Sequence, residues 1–126
     1  MSAVLVDTHA LLWFLAADPR LSERARETIE DANVVPFVSA ASTLEIAIKA
    51  SLGRLAVPDD LPEQLAGQGF VPAPVEAEHA WRVKALGNDD HKDPFDRLIA
   101  AQALVEGLPV VSADPAFDRY GVTRTW

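Results

Sequence analysis

Four carboxylates stand where an α/β chain gathers side chains. Asp7 directly follows the apolar run Ala-Val-Leu-Val at 3–6, and Asp114 follows Val110-Val111 by a few residues. Glu45 falls in the opening turn of a helix read from Ser42, and Asp96 in the opening turn of a helix read from Asp93-Pro94. Oxygen-only ligand sets suit hard cations such as Mg²⁺ or Mn²⁺. Carboxylates clustered without a cation raise one another's pKa, and a divalent ion removes that repulsion. Around one or two such ions, the chemistry expected is metal-assisted hydrolysis of a phosphodiester by a bound water. It requires neither a protein nucleophile nor a catalytic histidine.

Each residue also has a plainer use. Ser42-Thr43-Leu44-Glu45 reads as a capping box, in which Glu45 serves only the helix start. In Asp93-Pro94-Phe95-Asp96, Asp93 reads as an N-cap, Pro94 as the first helical residue and Asp96 as a charge favoured by the dipole. Asp93 is therefore a cap first and an additional metal ligand second. Asp114-Pro115 suits a turn. Asp7 has little local structural use at the exit of an apolar strand. The set of four says more than any member.

Around them, Thr8 and Ser112 are close enough in sequence to hydrogen-bond a carboxylate or a metal water. Lys92 and Arg97 are candidate phosphate contacts, whereas Lys49 and Arg54 read as exposed charges. His9, His79 and His91 show no ligand spacing and read as surface or loop residues, with His91 near the site in sequence.

The elements that must position these groups alternate. Strands are expected at 3–6, 34–38 (despite Pro36), about 70–71, 110–111 and 122–125, the last at an edge. Helices are expected at about 8–16, after Ser22, from Ser42 to Gly53, near 60–67, near 76–86 with Ala77, Ala80, Trp81 and Val83 on its apolar side, and from Asp93-Pro94 to Gly107. The last of these is apolar on nearly all sides, so it should pack against several neighbours. Alternation of this kind implies a parallel sheet with helices on both faces, whose sites form at the carboxyl ends of the strands.

With 126 residues the chain fits one domain, 1–126, and it has no cysteine, which excludes thiolate zinc sites, iron–sulfur clusters and cysteine nucleophiles. The opening residues lack a basic stretch and reach Asp7 early, unlike a secretory signal, and no apolar run approaches the ~20 residues of a spanning helix. A cytoplasmic address is expected. The formal charge of −8 argues against a nucleic-acid substrate, which normally leaves a basic footprint. Net charge does not describe a single cleft, however, and bound cations reverse the sign locally.

Four blocks of the sequence resemble the signatures of a known family. They are Val-Leu-Val-Asp-Thr-His-Ala-Leu-Leu-Trp (4–13), Ser-Ala-Ala-Ser-Thr-Leu-Glu-Ile-Ala-Ile-Lys-Ala-Ser-Leu-Gly-Arg-Leu (39–55), His-Lys-Asp-Pro-Phe-Asp-Arg-Leu-Ile-Ala-Ala-Gln-Ala (91–103) and Val-Val-Ser-Ala-Asp-Pro-Ala-Phe (110–117). Together they look like a PIN-domain ribonuclease toxin of the VapC-like kind. The resemblance implies a PIN-like three-layer sandwich, with a parallel five-stranded sheet flanked by helices. It implies an endoribonuclease dependent on Mg²⁺ or Mn²⁺, the toxin of a VapBC type II toxin–antitoxin pair, with RNA as substrate, a VapB-like antitoxin as partner and a homodimer as its usual assembly. Carried over, the family's acidic quartet falls on Asp7, Glu45, Asp96 and Asp114, with Asp93 at a further acidic position. Ala113 departs from the larger polar or basic residue often found between Ser112 and the last aspartate.

Two other chemistries place acids at strand ends. A phospho-acceptor receiver domain wants adjacent acids after the first strand and a lysine after a late one. Here Asp7 stands alone and Ser112-Ala113-Asp114 follows the late strand. A haloacid-dehalogenase-type phosphatase wants a second aspartate where this chain has His9. A third reading is a non-catalytic PIN-like module that only binds RNA or protein.

Overall fold

The computed structural model describes residues 1–87 and 93–126. Along the chain it shows β1 (Ser2–Val6), α1 (Thr8–Leu15), α2 (Glu23–Glu30), β2 (Val34–Ser39), α3 (Ala40–Ser51), α4 (Leu61–Gly67), β3 (Val71–Ala73), α5 (Ala77–Arg82) continuing into a 3₁₀ turn (Val83–Leu86), α6 (Pro94–Glu106), β4 (Val110–Val111), α7 (Ala116–Arg119) and β5 (Arg124–Thr125). Five strands form one sheet in the order β3-β2-β1-β4-β5, every pair parallel. The strand order reverses between β1 and β4. That junction is where an open parallel sheet leaves a crevice at its carboxyl edge.

Alternate residues of β1 serve opposite layers, as the pleat requires. Val4 and Val6 join Leu11 of α1, Ala25 and Ile29 of α2 and Leu65 of α4 on one face. Leu5 joins Ile99, Ala100 and Ala103 of α6 and Phe117 of α7 on the other. This is the three-layer sandwich expected. Helix α6 buries Ile99 through Ala103 without an exposed position, because it packs against both α3 and α5. Gly107 ends it in the left-handed region, at φ 67°, a conformation glycine adopts without cost.

Several details depart from the sequence reading. Pro36 lies mid-strand, opposite Val4 of β1. Strand β3 begins pairing only at Phe37, so Pro36 sits where one side of β2 has no neighbour to miss its N–H. Strand β3 runs over Val71–Ala73, with Phe70 buried just before it. The short α7 was not anticipated. Trp81 is not a core residue: it is 73% exposed, with the Lys84 ammonium over its ring. The buried residue of α5 is His79, which corrects its reading as a surface group. Its Nδ1 accepts the Glu76 N–H at 2.9 Å and its Nε2 bonds Glu106 of α6 at 2.8 Å, so it clips α5 to α6.

A second polar clip sits deeper. Gln102 of α6 is buried, accepts the Ser39 hydroxyl, and donates to the carbonyls of Pro74 at 3.1 Å and Ala73 at 3.4 Å. It joins the ends of β2 and β3 to α6. Replacing it by Leu strands Ser39 and two carbonyls, and a buried polar group left without a partner costs about 1–3 kcal/mol. Gln102→Leu should lower stability by that amount in urea denaturation, with an unchanged slope.

Candidate active site

Asp7 ends β1 and starts α1. Its Oδ1 accepts the Ala10 N–H at 2.8 Å, with an extended backbone, so it is the N-cap of that helix. This corrects the reading that it lacks a local role. The cap also explains its direction: the side chain is held at the strand's carboxyl end, 4% exposed. Strand β4 pairs directly with β1, and the Asp7 N–H bonds the Val111 carbonyl at 3.1 Å. The residues after Val111 are thereby brought beside it. Ser112 accepts the Asp114 N–H at 3.0 Å and hydrogen-bonds the Asp7 carboxylate. Asp114 also opens α7, its Oδ1 accepting the Ala116 N–H at 2.9 Å.

Burial pushes the Asp7 carboxyl above the ordinary range. The Ser112 and Ala10 hydrogen bonds and the charge of His9 pull it back, while the nearby Asp114 charge pushes it further up. The fold therefore carries a carboxylate that water would hold more readily, a mark of functional sites.

Glu45 is placed differently from the sequence reading. Helix α3 is capped by Ser39, whose Oγ accepts the Ala41 N–H at 2.9 Å, not by Ser42. Glu45 thus lies in the second turn, and the Ser42–Glu45 capping box does not form. It is 5% exposed; Oε2 meets the Lys49 ammonium at 2.8 Å, and Oε1 is buried without a hydrogen-bond partner among the described residues. Lys49, read as a plain surface charge, is the counter-ion of a buried acid. Ser42 itself accepts the Thr8 hydroxyl at 2.9 Å, which ties the start of α1 to α3. Thr8 therefore braces the two helices that carry Asp7 and Glu45.

Asp93 is the N-cap of α6, accepting the N–H groups of Phe95 at 2.9 Å and Asp96 at 3.3 Å. It lines one cleft with Glu45, Lys49 and Arg54. Asp96 sits half-buried in the first turn of the same helix. Arg97 donates to the Gly87 carbonyl at 2.6 Å and lies 5.7 Å from the Tyr120 ring centre. Lys92 and His91 lie outside the described residues. Sequence reasoning passed over Arg124, which bonds Asp118 and the Ser112 carbonyl and adds positive charge near Asp114. Its signal was faint, an arginine in a short edge strand.

The structure thus brings Asp7 together with Asp114 on one cleft, and sets Glu45 and Asp93 on a second whose lining shares no residue with the first. Among the described residues, no three Asp, Glu or His side chains share a position that holds one ion. The donors fit a hard cation in kind: all are oxygens, Asp7 is held against its preference, and Glu45 Oε1 lacks a partner among the described residues. A cleft of about 730 Å³ is lined mainly by apolar side chains and by no carboxylate, so a large volume does not by itself mark the site.

Comparison with known proteins follows this geometry. The PIN domain family matches residues 4–122. Ribonuclease VapC22 of Mycobacterium tuberculosis is 35% identical over 121 residues, covering 90% of this chain and 88% of that protein. VapBC2 from Rickettsia felis, solved bound to a DNA fragment from its promoter, superposes with a TM-score of 0.65 at 14% identity, over 98% of this chain and 97% of that one. FitAcB from Neisseria gonorrhoeae gives a TM-score of 0.58 at 20% identity, over 98% and 96%. At such identities the two structures speak for the fold.

The raised Asp7 group has a sign that can be measured. With the folded pKa above the unfolded one, the folded chain binds more protons at intermediate pH. That contribution to stability is complete at acid pH and is lost as pH rises through the folded value. Asp7→Asn keeps a capping oxygen and carries no charge. Its thermal midpoint should exceed that of the wild type at neutral pH, and the gain should vanish on acidification.

Proposed function

Since the chain belongs to the PIN-domain family, we propose that it is an endoribonuclease, the toxin of a toxin–antitoxin pair, working through Asp7, Glu45, Asp96 and Asp114 with Mg²⁺ or Mn²⁺. The observation that carries the reading is the Asp7–Asp114 pair at the β1/β4 junction, on a chain 35% identical to a protein named as a ribonuclease. A protein of similar fold from Klebsiella pneumoniae was solved as a toxin–antitoxin complex, which supports an antitoxin as partner here. A second copy of the chain is the further partner the family likeness implies. Among the described residues no helix is long and apolar enough to cross a membrane.

When bound, the divalent cation lowers the pKa of a water and neutralises charge on the phosphate. The residues do the placing. Asp7 and Asp114 present their carboxylates from adjacent strand ends, and Ser112 fixes both by bonding one carboxylate and the other's backbone. Glu45 offers the partnerless Oε1, and Lys49 holds its other oxygen, so the side chain is aimed before any ligand arrives. Asp96 contributes from the first turn of α6, whose start is set by the Asp93 cap.

A mixed RNA pool should be cut by the purified chain with Mg²⁺ or Mn²⁺ and spared with EDTA. Glu45→Gln and Asp96→Asn should each lower the rate by more than about 100-fold, beyond the usual loss for residues that only support a ligand. Glu45→Gln gives up the Lys49 ion pair but also removes a buried charge, effects of opposite sign, so its unfolding midpoint should move little. Equal cleavage by wild type and both variants sinks the assignment.

A further inference from the structure

Beside the Asp7–Asp114 pair the cleft changes character. Its volume is about 440 Å³, and His9, Trp13, Arg20 and Ala113 complete its lining. His9 and Trp13 are four residues apart on α1, hence on one face of that helix. The Asp7 cap that orients the carboxylate also fixes where this face points. The His9 ring lies 6.0 Å from the Trp13 ring, tilted by 33°, and the Arg20 guanidinium lies 5.0 Å over Trp13. Trp126 borders Trp13 at 5.9 Å.

A tryptophan serving only the core would be covered by apolar neighbours. Trp13 touches the core on one side, but on the other it is bordered by an exposed imidazole and by an arginine whose side chain is 68% exposed. Arg20 is held by Asp18 through Nε at 3.1 Å and Nη2 at 2.7 Å, which locks its plane and pairs its charge. The cluster thus offers flat π surfaces rather than a net positive field. On a chain of charge −8, that is the grip open to a nucleic-acid strand away from any cation. Proteins hold unpaired RNA bases by stacking them on aromatic rings and guanidinium planes. The small Ala113 leaves the opening free.

We propose that His9, Trp13 and Arg20 form a nucleobase-stacking subsite that takes one unpaired base of the RNA beside the phosphate presented to Asp7 and Asp114. The inference rests on the ribonuclease reading and names the side chains that would hold a base of the strand being cut. A duplex cannot offer a base face without unstacking.

The test uses the full chain carrying Trp81→Phe, which leaves Trp13 and Trp126 as emitters, and Asp96→Asn to suppress cutting, with Mg²⁺ present. An unstructured oligoribonucleotide should quench the fluorescence, and the same strand in duplex with its complement should not. Adding Trp13→Ala should weaken single-strand binding at least about tenfold, and Trp13→Phe should keep most of it. In the chain with Asp96 intact, Trp13→Ala should raise KM more than it lowers kcat. Because Trp13 also touches the core, exposed Arg20→Ala serves as a second variant, with weaker binding expected at an unchanged unfolding midpoint. Single strand and duplex bound alike, or both variants binding and cutting like the parent, overturns the subsite while leaving the nuclease intact. A wild-type chain that cuts no RNA, yet binds single strands in a Trp13-dependent way, sinks the nuclease and keeps the subsite.

Discussion

The structure turns on one awkward charge. Asp7 is almost wholly buried at the point where the strand order reverses, with a second carboxylate near it. Water would solvate that group better than the fold does, so the surroundings must compensate. The Ala10 N–H and the Ser112 hydroxyl do so in part, and the β1/β4 pairing fixes Ser112 in place. Helix α1 starts from the same side chain, so its capping and the chemistry of the crevice are one constraint. A carboxylate kept where it is disfavoured is a common trade of stability for activity.

The acidic balance of the chain takes on a different meaning once its pairs are seen. Lys49 faces Glu45, Arg20 faces Asp18 and Arg124 faces Asp118. These basic side chains are matched to acids rather than set out as a track for phosphates. With a formal charge of −8, the chain as a whole does not draw a polyanion at long range. In the proposed reading, selection falls to what happens inside the crevice: the cation, the placed carboxylates and the flat groups at its rim.

The sequence was legible where local chemistry and tertiary structure agree. The caps at Ser22 and Asp93, the stop at Gly107 and the alternation that builds a parallel sheet all read correctly, because each depends on neighbours a few residues away. It misled where a distant partner decides. Ser42 looks like a cap, but Ser39 takes that role and Ser42 is claimed by Thr8. His79 looks like a surface residue until α6 brings Glu106 to it. Trp81 looks like core by its spacing, yet α5 turns its histidine inward instead. Asp7 stands out in the sequence by its place after a strand, but its capping hydrogen bond to Ala10 does not show there because the helix boundary falls on that very residue. The joining of the acids across strands is a matter of sheet order, which no local pattern encodes.

That sheet order has a temporal side. β1 is made before its inner neighbour β4 and the residues that follow, with β2, β3 and the helices from α1 to α6 in between. Asp7 has no Ser112 and no Asp114 until then. Contacts so distant in sequence form late, since the loop between them must first close. During synthesis the emerging chain thus carries its first carboxylate without the rest of the crevice. Whatever the crevice does, its topology withholds until β4 and the residues after it have been made, a safeguard that needs no second protein.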